Sequence, residues 1–385
     1  MLNITRRWSI ALAAATVLAA HGAAQAQIKV GVTISTTGPA ASLGIPEKNT
    51  ATLFPKEIGG KSVEYIVLDD ASDPGAAANN TRRLLVESKV DVVIGSTTSP
   101  NSLAIIDIAA DAATPLISVA ANARIVEPMD AKRRWVFKTP QSDSLMADAV
   151  VEHIAKAGHK TVAVVAVADA YGDGWLNELQ KATGARNVKI GAVERYNRVD
   201  TNVTPQVLKI VAAKPDAVIV VGAGTPAVLP QATLRERGYT AAIYQTHGVA
   251  NNDFLRVGGK DVEGTILPVG PVLVAAQLPA SPVRDAGTAY IKAYEDAFGK
   301  DSVSTFGAHM WDAMLLLRQA LPMAVAKAAP GTPEFRAALR DALESLKNVT
   351  VSHGVISMSA DNHNGMDARS RVMVRIENGR WKLLP

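Results

Sequence analysis

The feature that most limits the fold is a repeated alternation of short apolar runs with longer amphipathic stretches. The runs are Ile28–Ile34, Val63–Asp69, Val90–Gly95, Pro115–Val119, Thr161–Ala168, Val188–Tyr196, Ala217–Gly222 and Ile243–Thr246. Helix-period patterns lie between them, at Pro74–Ser88, Pro100–Ala112, Ser142–Lys156, Thr204–Ala213 and Pro226–Arg237. Strands buried on both faces read as continuous apolar runs, and alternation with helices argues for parallel α/β sheets. The pattern occurs twice, over roughly 28–140 and 161–270. Two domains accommodate that many strands better than one open sheet. After Pro271 the order changes to helices near Arg284–Phe298, Phe306–Ala328 and Pro333–Leu346. The end is strand-like at Arg371–Ile376 and Arg380–Leu384, on either side of Asn378-Gly379, a strong hairpin signal.

The N-terminus carries Arg6 and Arg7, an apolar run from Ser9 to Ala20, and the small-residue ending Ala24-Gln25-Ala26. This is the plan of a secretory signal peptide cleaved near Ala26. The apolar run is too short to span a bilayer, which takes roughly 20 residues. With no cysteine in the chain, a lipid-anchored cysteine, a disulfide framework and a thiolate metal site are excluded. Export to the periplasm as a soluble protein is expected. Beyond residue 26 there are 38 basic and 36 acidic side chains. That balance, without a basic stripe, speaks against a nucleic-acid partner.

Ligands of open parallel sheets bind beyond the carboxyl ends of the strands, so the segments after each strand hold the candidates. Ser35–Gly44, which contains Leu43, is a polar, glycine-bearing loop. Gly95–Ser102 brings Thr98 and Ser99 to a helix start, with Ser99 placed to cap the helix and Pro100 at its first position. Free backbone N–H groups and the helix dipole favour an anion there. Ser118–Ala123 offers close backbone approach at Ala120 and the amide of Asn122. Tyr171 stands in a flexible loop before a helix that Asp173 is placed to cap. Gly222-Ala-Gly224-Thr-Pro-Ala227 matches a dinucleotide fingerprint, but the strand that follows ends in Tyr244–His247 without the acidic residue a ribose needs. A tight turn and a nucleotide site both stay open for it. No nucleophile elbow, zinc helix or P-loop is present. His353, Asp361 and His363 lack metal spacing and read as surface-loop residues. Asp69, Asp70 and Asp73 read as a strand end and helix cap.

Taken in order, these segments resemble the Leu/Ile/Val-binding protein family, the type I periplasmic binding proteins of ABC importers. The resemblance rests on Gly38-Pro39, Asp69–Pro74, Val90–Gly95, Pro115–Ser118, Tyr171–Gly174, Gln231–Gly238 and Trp311–Ala313. It covers almost the whole chain after residue 26. It implies two α/β lobes, each a mostly parallel sheet flanked by helices, joined by three hinge strands around a ligand cleft. Lobe one would take 28–141 and about 271–350, and lobe two about 142–270 and 351–385. The family's carboxylate-binding serine falls at Ser99, with Ala120 and Asn122 completing that site and Tyr171 closing from lobe two. Leu43 stands where a larger aromatic is usual. The acidic residue that meets an amino acid's ammonium is replaced by His247. The resemblance therefore implies a non-enzymatic, monomeric binding protein without cofactor or metal, which hands its ligand to membrane permease subunits. His247 turns the expectation toward an aromatic or other ammonium-free acid. The alternatives are a branched-chain amino acid binder of the same fold and a nucleotide-dependent envelope enzyme.

Overall fold

The computed structural model describes residues 27–385; the expected signal peptide lies outside the described residues. In the first lobe β1 (Ile28–Ile34) bonds in parallel to both β3 (Lys61–Asp69) and β4 (Val92–Gly95). The short β2 (Glu57–Ile58) borders β3, and β5 (Leu116–Ser118) and β6 (Val136–Lys138) continue the sheet beyond β4. The second sheet repeats the scheme. Its β7 (Thr161–Val167) lies between β8 (Lys189–Tyr196) and β9 (Ala217–Val221), followed by β10 (Ala242–Gln245) and β11 (Ile266–Val269). An antiparallel hairpin, β14 (Val372–Glu377) with β15 (Arg380–Leu383), closes its edge. Asn378 and Gly379, both at positive φ, make the turn, as the Asn-Gly pair requires. β12 (Val349–Val351) and β13 (Gly354–Ile356) form a separate hairpin.

Strand periodicity explains the continuous apolar runs. In β4, Val92 and Ile94 enter one first-lobe core while Val93 enters the other, as alternate side chains of a strand must. The Val92 face meets α10 (Thr305–Val325) and α11 (Pro333–Ser345) through Leu316, Leu317 and Leu339. In the second lobe all of Val162–Val167 is buried, together with Trp175 and Leu179 of α5 (Ala170–Ala185). The same core takes in Ala40, Leu43, Ala121 and Phe306 from the first lobe, so the two lobes are pressed together.

Some elements differ from the sequence reading. Leu43 lies on a helix, α1 (Ala41–Ala51), rather than in a loop. Gly44 and Pro46 inside α1 hide it from a periodicity test, and Gly44 is needed because a Cβ there would sit 2.0 Å from the Ser35 carbonyl oxygen. Tyr171 lies in the first turn of α5, and Asp169, not Asp173, caps that helix by accepting from the N–H groups of Tyr171 and Gly172. His353 and His363 are buried, not surface residues. The His363 ring stacks on Phe137 at 4.1 Å. Val351, Ile356 and Met358 join the first-lobe core, and the chain enters the second sheet only at Val372. We therefore place the last crossing between Met358 and Val372 rather than near 350. Among the described residues no helix is long and apolar enough to cross a membrane.

The packing of α10 on β1 and β4 sets a first expectation. Leu317→Ala removes a buried side chain from a close-packed core and should lower unfolding stability by about 2–5 kcal/mol. Urea denaturation followed by circular dichroism checks this.

Candidate ligand-binding site

Two parallel sheets whose strand ends face each other leave a cleft lined by their carboxyl-terminal loops. Here the cleft narrows to a cavity of about 30 Å³, room for one or two waters. The first lobe lines it with Leu43, Thr97–Ser99, Val119–Ala121, Pro140, Phe306 and His309. The second lobe supplies Tyr171, Arg198, Ala223, His247 and Gly248. Six of the residues expected from sequence thus meet in one place: Leu43, Thr98, Ser99, Ala120, Tyr171 and His247.

Asn122 and Gly224 stand outside that wall. The Asn122 amide donates to the Ala170 carbonyl (2.6 Å) and its oxygen accepts from the Arg124 N–H (2.9 Å). The side chain bridges the lobes instead of facing the cavity. Gly224 abuts Ser42 and Leu43, and its N–H donates to the Gly248 carbonyl. The Gly222 turn is also filled: a Cβ there would sit 2.3 Å from the Tyr196 hydroxyl. A dinucleotide's phosphates would need that space.

On the first wall, Thr98 rather than Ser99 is the cap of α3 (Ser99–Asp111), accepting from the Asn101 N–H. Ser99 takes the first helical position and Pro100 the second. This leaves the Ser99 hydroxyl outside the capping role, and Ser99 lines the cavity. The preceding loop is fixed from behind. Asp70 accepts from the hydroxyls of Ser35 and Ser96, both at 2.6 Å. Thr97 donates to Glu47 at 2.5 Å and accepts from the Ser35 N–H. Burial holds the Glu47 carboxyl well above its ordinary pKa, so it does not compete with an anion for the site.

The second wall is held by a hydrogen-bond chain. The Tyr171 hydroxyl donates to Thr246 (2.9 Å), which donates to the Gly222 carbonyl (2.7 Å). With its hydroxyl engaged, Tyr171 presents its ring. Gly248 is required beside it, because a Cβ there would lie 2.8 Å from that hydroxyl. Arg198 extends from two residues beyond β8 and pairs with Asp169 at 2.7 Å. Sequence reasoning missed Arg198, although its place just past a strand's carboxyl end was the available signal. It also missed Phe306 and His309, which lie at the start of α10, outside the segments that follow strands in the sequence.

Burial lowers the His247 pKa from 6.5 to about 3, and the charges of Lys138 and His353 push the same way. The His309 pKa is lowered well below its ordinary value, again first by burial. Both imidazoles are therefore neutral near pH 7. Among the described residues, the cavity wall carries one cation, Arg198, and no carboxylate.

This arrangement, two α/β lobes meeting over a small polar-and-aromatic cavity at their strand ends, defines a two-lobed solute-binding protein. The chain belongs to the periplasmic binding protein family, whose model matches residues 27–380. It is 49% identical to an extracellular ligand-binding receptor from Rhodopseudomonas palustris HaA2, with a TM-score of 0.91 over 94% of this chain and all of that one. The leucine-, isoleucine-, valine-, threonine- and alanine-binding protein of Pseudomonas aeruginosa is 25% identical over 271 residues, 68% of this chain and 72% of that protein. A solute-binding protein of an ABC transporter from Rhodopseudomonas palustris BisB5, solved with 3,4-dihydroxybenzoic acid, shares the fold at a TM-score of 0.79 and 22% identity, over 93% of this chain and 96% of that one.

The His247 shift has a consequence for stability. Between pH about 6.5 and about 3 the unfolded chain binds a proton at this position that the folded chain refuses. Its contribution is whole above the unfolded pKa and is lost as pH falls toward the folded one. In urea titrations at about pH 7 and about pH 4.5, His247→Phe should lose less stability on acidification than the native chain. Equal losses would contradict this.

Proposed function

We propose that the protein binds a small carboxylic acid that lacks an α-ammonium, foremost an aromatic acid, between its lobes. It closes over the acid by hinge motion, without catalysing a reaction on it, and passes it to the permease of an ABC importer. The observation that carries this reading is the charge of the cavity wall: Arg198 and the N-terminus of α3 with Ser99, against no acidic side chain. A carboxylate meets donors and positive potential there. An amino acid's ammonium would be buried without a countercharge, at several kcal/mol. Asp253, the nearest acid in sequence after His247, pairs with Arg256 at 2.8 Å on the surface and does not serve. Tyr171, Phe306 and the imidazoles supply flat surfaces suited to an aromatic ring. The 3,4-dihydroxybenzoic acid complex shows an aromatic acid in another protein of this fold.

Calorimetry with leucine, phenylalanine, benzoate and 4-hydroxycinnamate tests the ligand class. The two acids should bind and the two amino acids should not; tight leucine binding without acid binding overturns the reading. Ser99→Ala should weaken acids by about 10- to 100-fold and leave the ligand-free melting temperature nearly unchanged.

A cavity of about 30 Å³ is too small to admit such an acid until the lobes part. Small-angle scattering should accordingly show a smaller radius of gyration with a saturating acid than without. An unchanged profile with tightly bound acid would rule out the hinge motion.

A further inference from the structure

We infer that His247 and His309 together seat a hydroxyl group of the ligand, so that the ligand is a hydroxylated aromatic acid and not its deoxy analogue. This rests on the acid-binding reading above and narrows it. The two imidazoles reach the same cavity from opposite lobes, His247 from the turn after β10 and His309 from the first turns of α10. They are only 6% and 3% exposed. Both ring nitrogens of His247 and Nδ1 of His309 are buried without a hydrogen-bond partner. A buried polar atom left so costs about 1–3 kcal/mol, and such atoms in a native fold call for an explanation.

A ligand hydroxyl supplies one. Neutral imidazole has one donor nitrogen and one acceptor nitrogen. A hydroxyl donates to one ring and accepts from the other at a single oxygen. A second carboxylate would need donors from both rings, and a C–H in the same place would satisfy neither. The neutral state of both rings, fixed by burial, keeps this donor–acceptor pair intact over the physiological range.

The rings are also held in place before any ligand arrives. His247 packs beside Trp175 at 5.7 Å and edge-on to Tyr171 at 6.2 Å. His309 stacks on His353 at 3.9 Å and 15°, and its backbone carbonyl accepts from Thr139. His353 is in turn fixed by Asp312 (2.7 Å), which also accepts from the Ser352 hydroxyl and N–H. Fixed partners lower the ordering cost of binding. His309, Asp312 and His353 come close enough to suggest a metal site. Stacked rings direct their in-plane lone pairs side by side rather than to one point, and Asp312 already engages His353 Nδ1. The cluster positions His309.

Calorimetry on the full chain decides between outcomes, using benzoate against 3- and 4-hydroxybenzoate and cinnamate against 4-hydroxycinnamate. At least one hydroxy acid should bind about 10- to 100-fold more tightly than its deoxy partner. His247→Phe and His309→Phe should each remove most of that preference, by weakening the hydroxy acid much more than the deoxy acid. Equal binding of hydroxy and deoxy acids by the native chain overturns the inference and leaves the acid-binding reading standing. So does a preference that survives in variants that still melt cooperatively. If none of the acids binds, the acid-binding reading falls and this inference with it.

Discussion

Parallel strand pairing is the constraint from which the rest follows. Once β1 is bonded to both β3 and β4, and β7 to both β8 and β9, each sheet must present its carboxyl-terminal loops along a single edge. Parallel strands need crossover helices, so every loop at that edge leads into a helix and brings its N–H groups with it. Two such edges set face to face make a cavity whose wall takes a short segment from each of many strands. Ser99, Ala120, Tyr171, Arg198, Ala223 and His247 are 148 residues apart at the extremes of the sequence, yet each sits just beyond a strand. None of them needs a special local fold to reach the cavity.

The site's chemistry is set by how its surroundings manage charge. Three acids behind the cavity wall are engaged by their neighbours. Asp70 holds the loops after β1 and β4 through serine hydroxyls, Glu47 is engaged by Thr97, and Asp169 caps α5 while orienting Arg198. Deeper in, at the crossing from β6 to α4 (Asp143–Lys156), Lys138 and Asp143 are fully buried. Burial brings the lysine down to about 8 and the aspartate up to about 7, each opposed by the charge of the other. Lys138 donates to the Ala121 carbonyl and so anchors the backbone segment that carries Ala120. The result is a wall where the one exposed sign of charge is positive and the histidines are neutral.

Much of the fold was legible because both sheets are buried on two faces. Runs such as Thr161–Ala168 and Val90–Gly95 could hardly be anything but core strands, and Asn378-Gly379 marked the terminal hairpin. What escaped were elements whose local signal is weak. Helix α1 contains a glycine and a proline and has no apolar stripe; β6 is three residues long. The hairpin β12–β13 belongs to the first core only because Val351, Ile356 and Met358 find α10 and α11 there, a contact no local pattern records.

The sequence by itself determined the α/β class, the duplication and the family resemblance. These rest on periodicity and on residue identity, which are local and linear. Only the tertiary structure decided which polar groups remain free to meet a ligand. Asn122 had the right chemistry for the site but spends its amide on Ala170. Ser99 had the look of a helix cap, but Thr98 takes that task. Arg198 and His309 gave no motif, yet they face the cavity because a strand end and a helix start converge there. Hydrogen bonding is competitive, and the winner at each donor and acceptor depends on which groups the packing of the two lobes brings within about 3 Å.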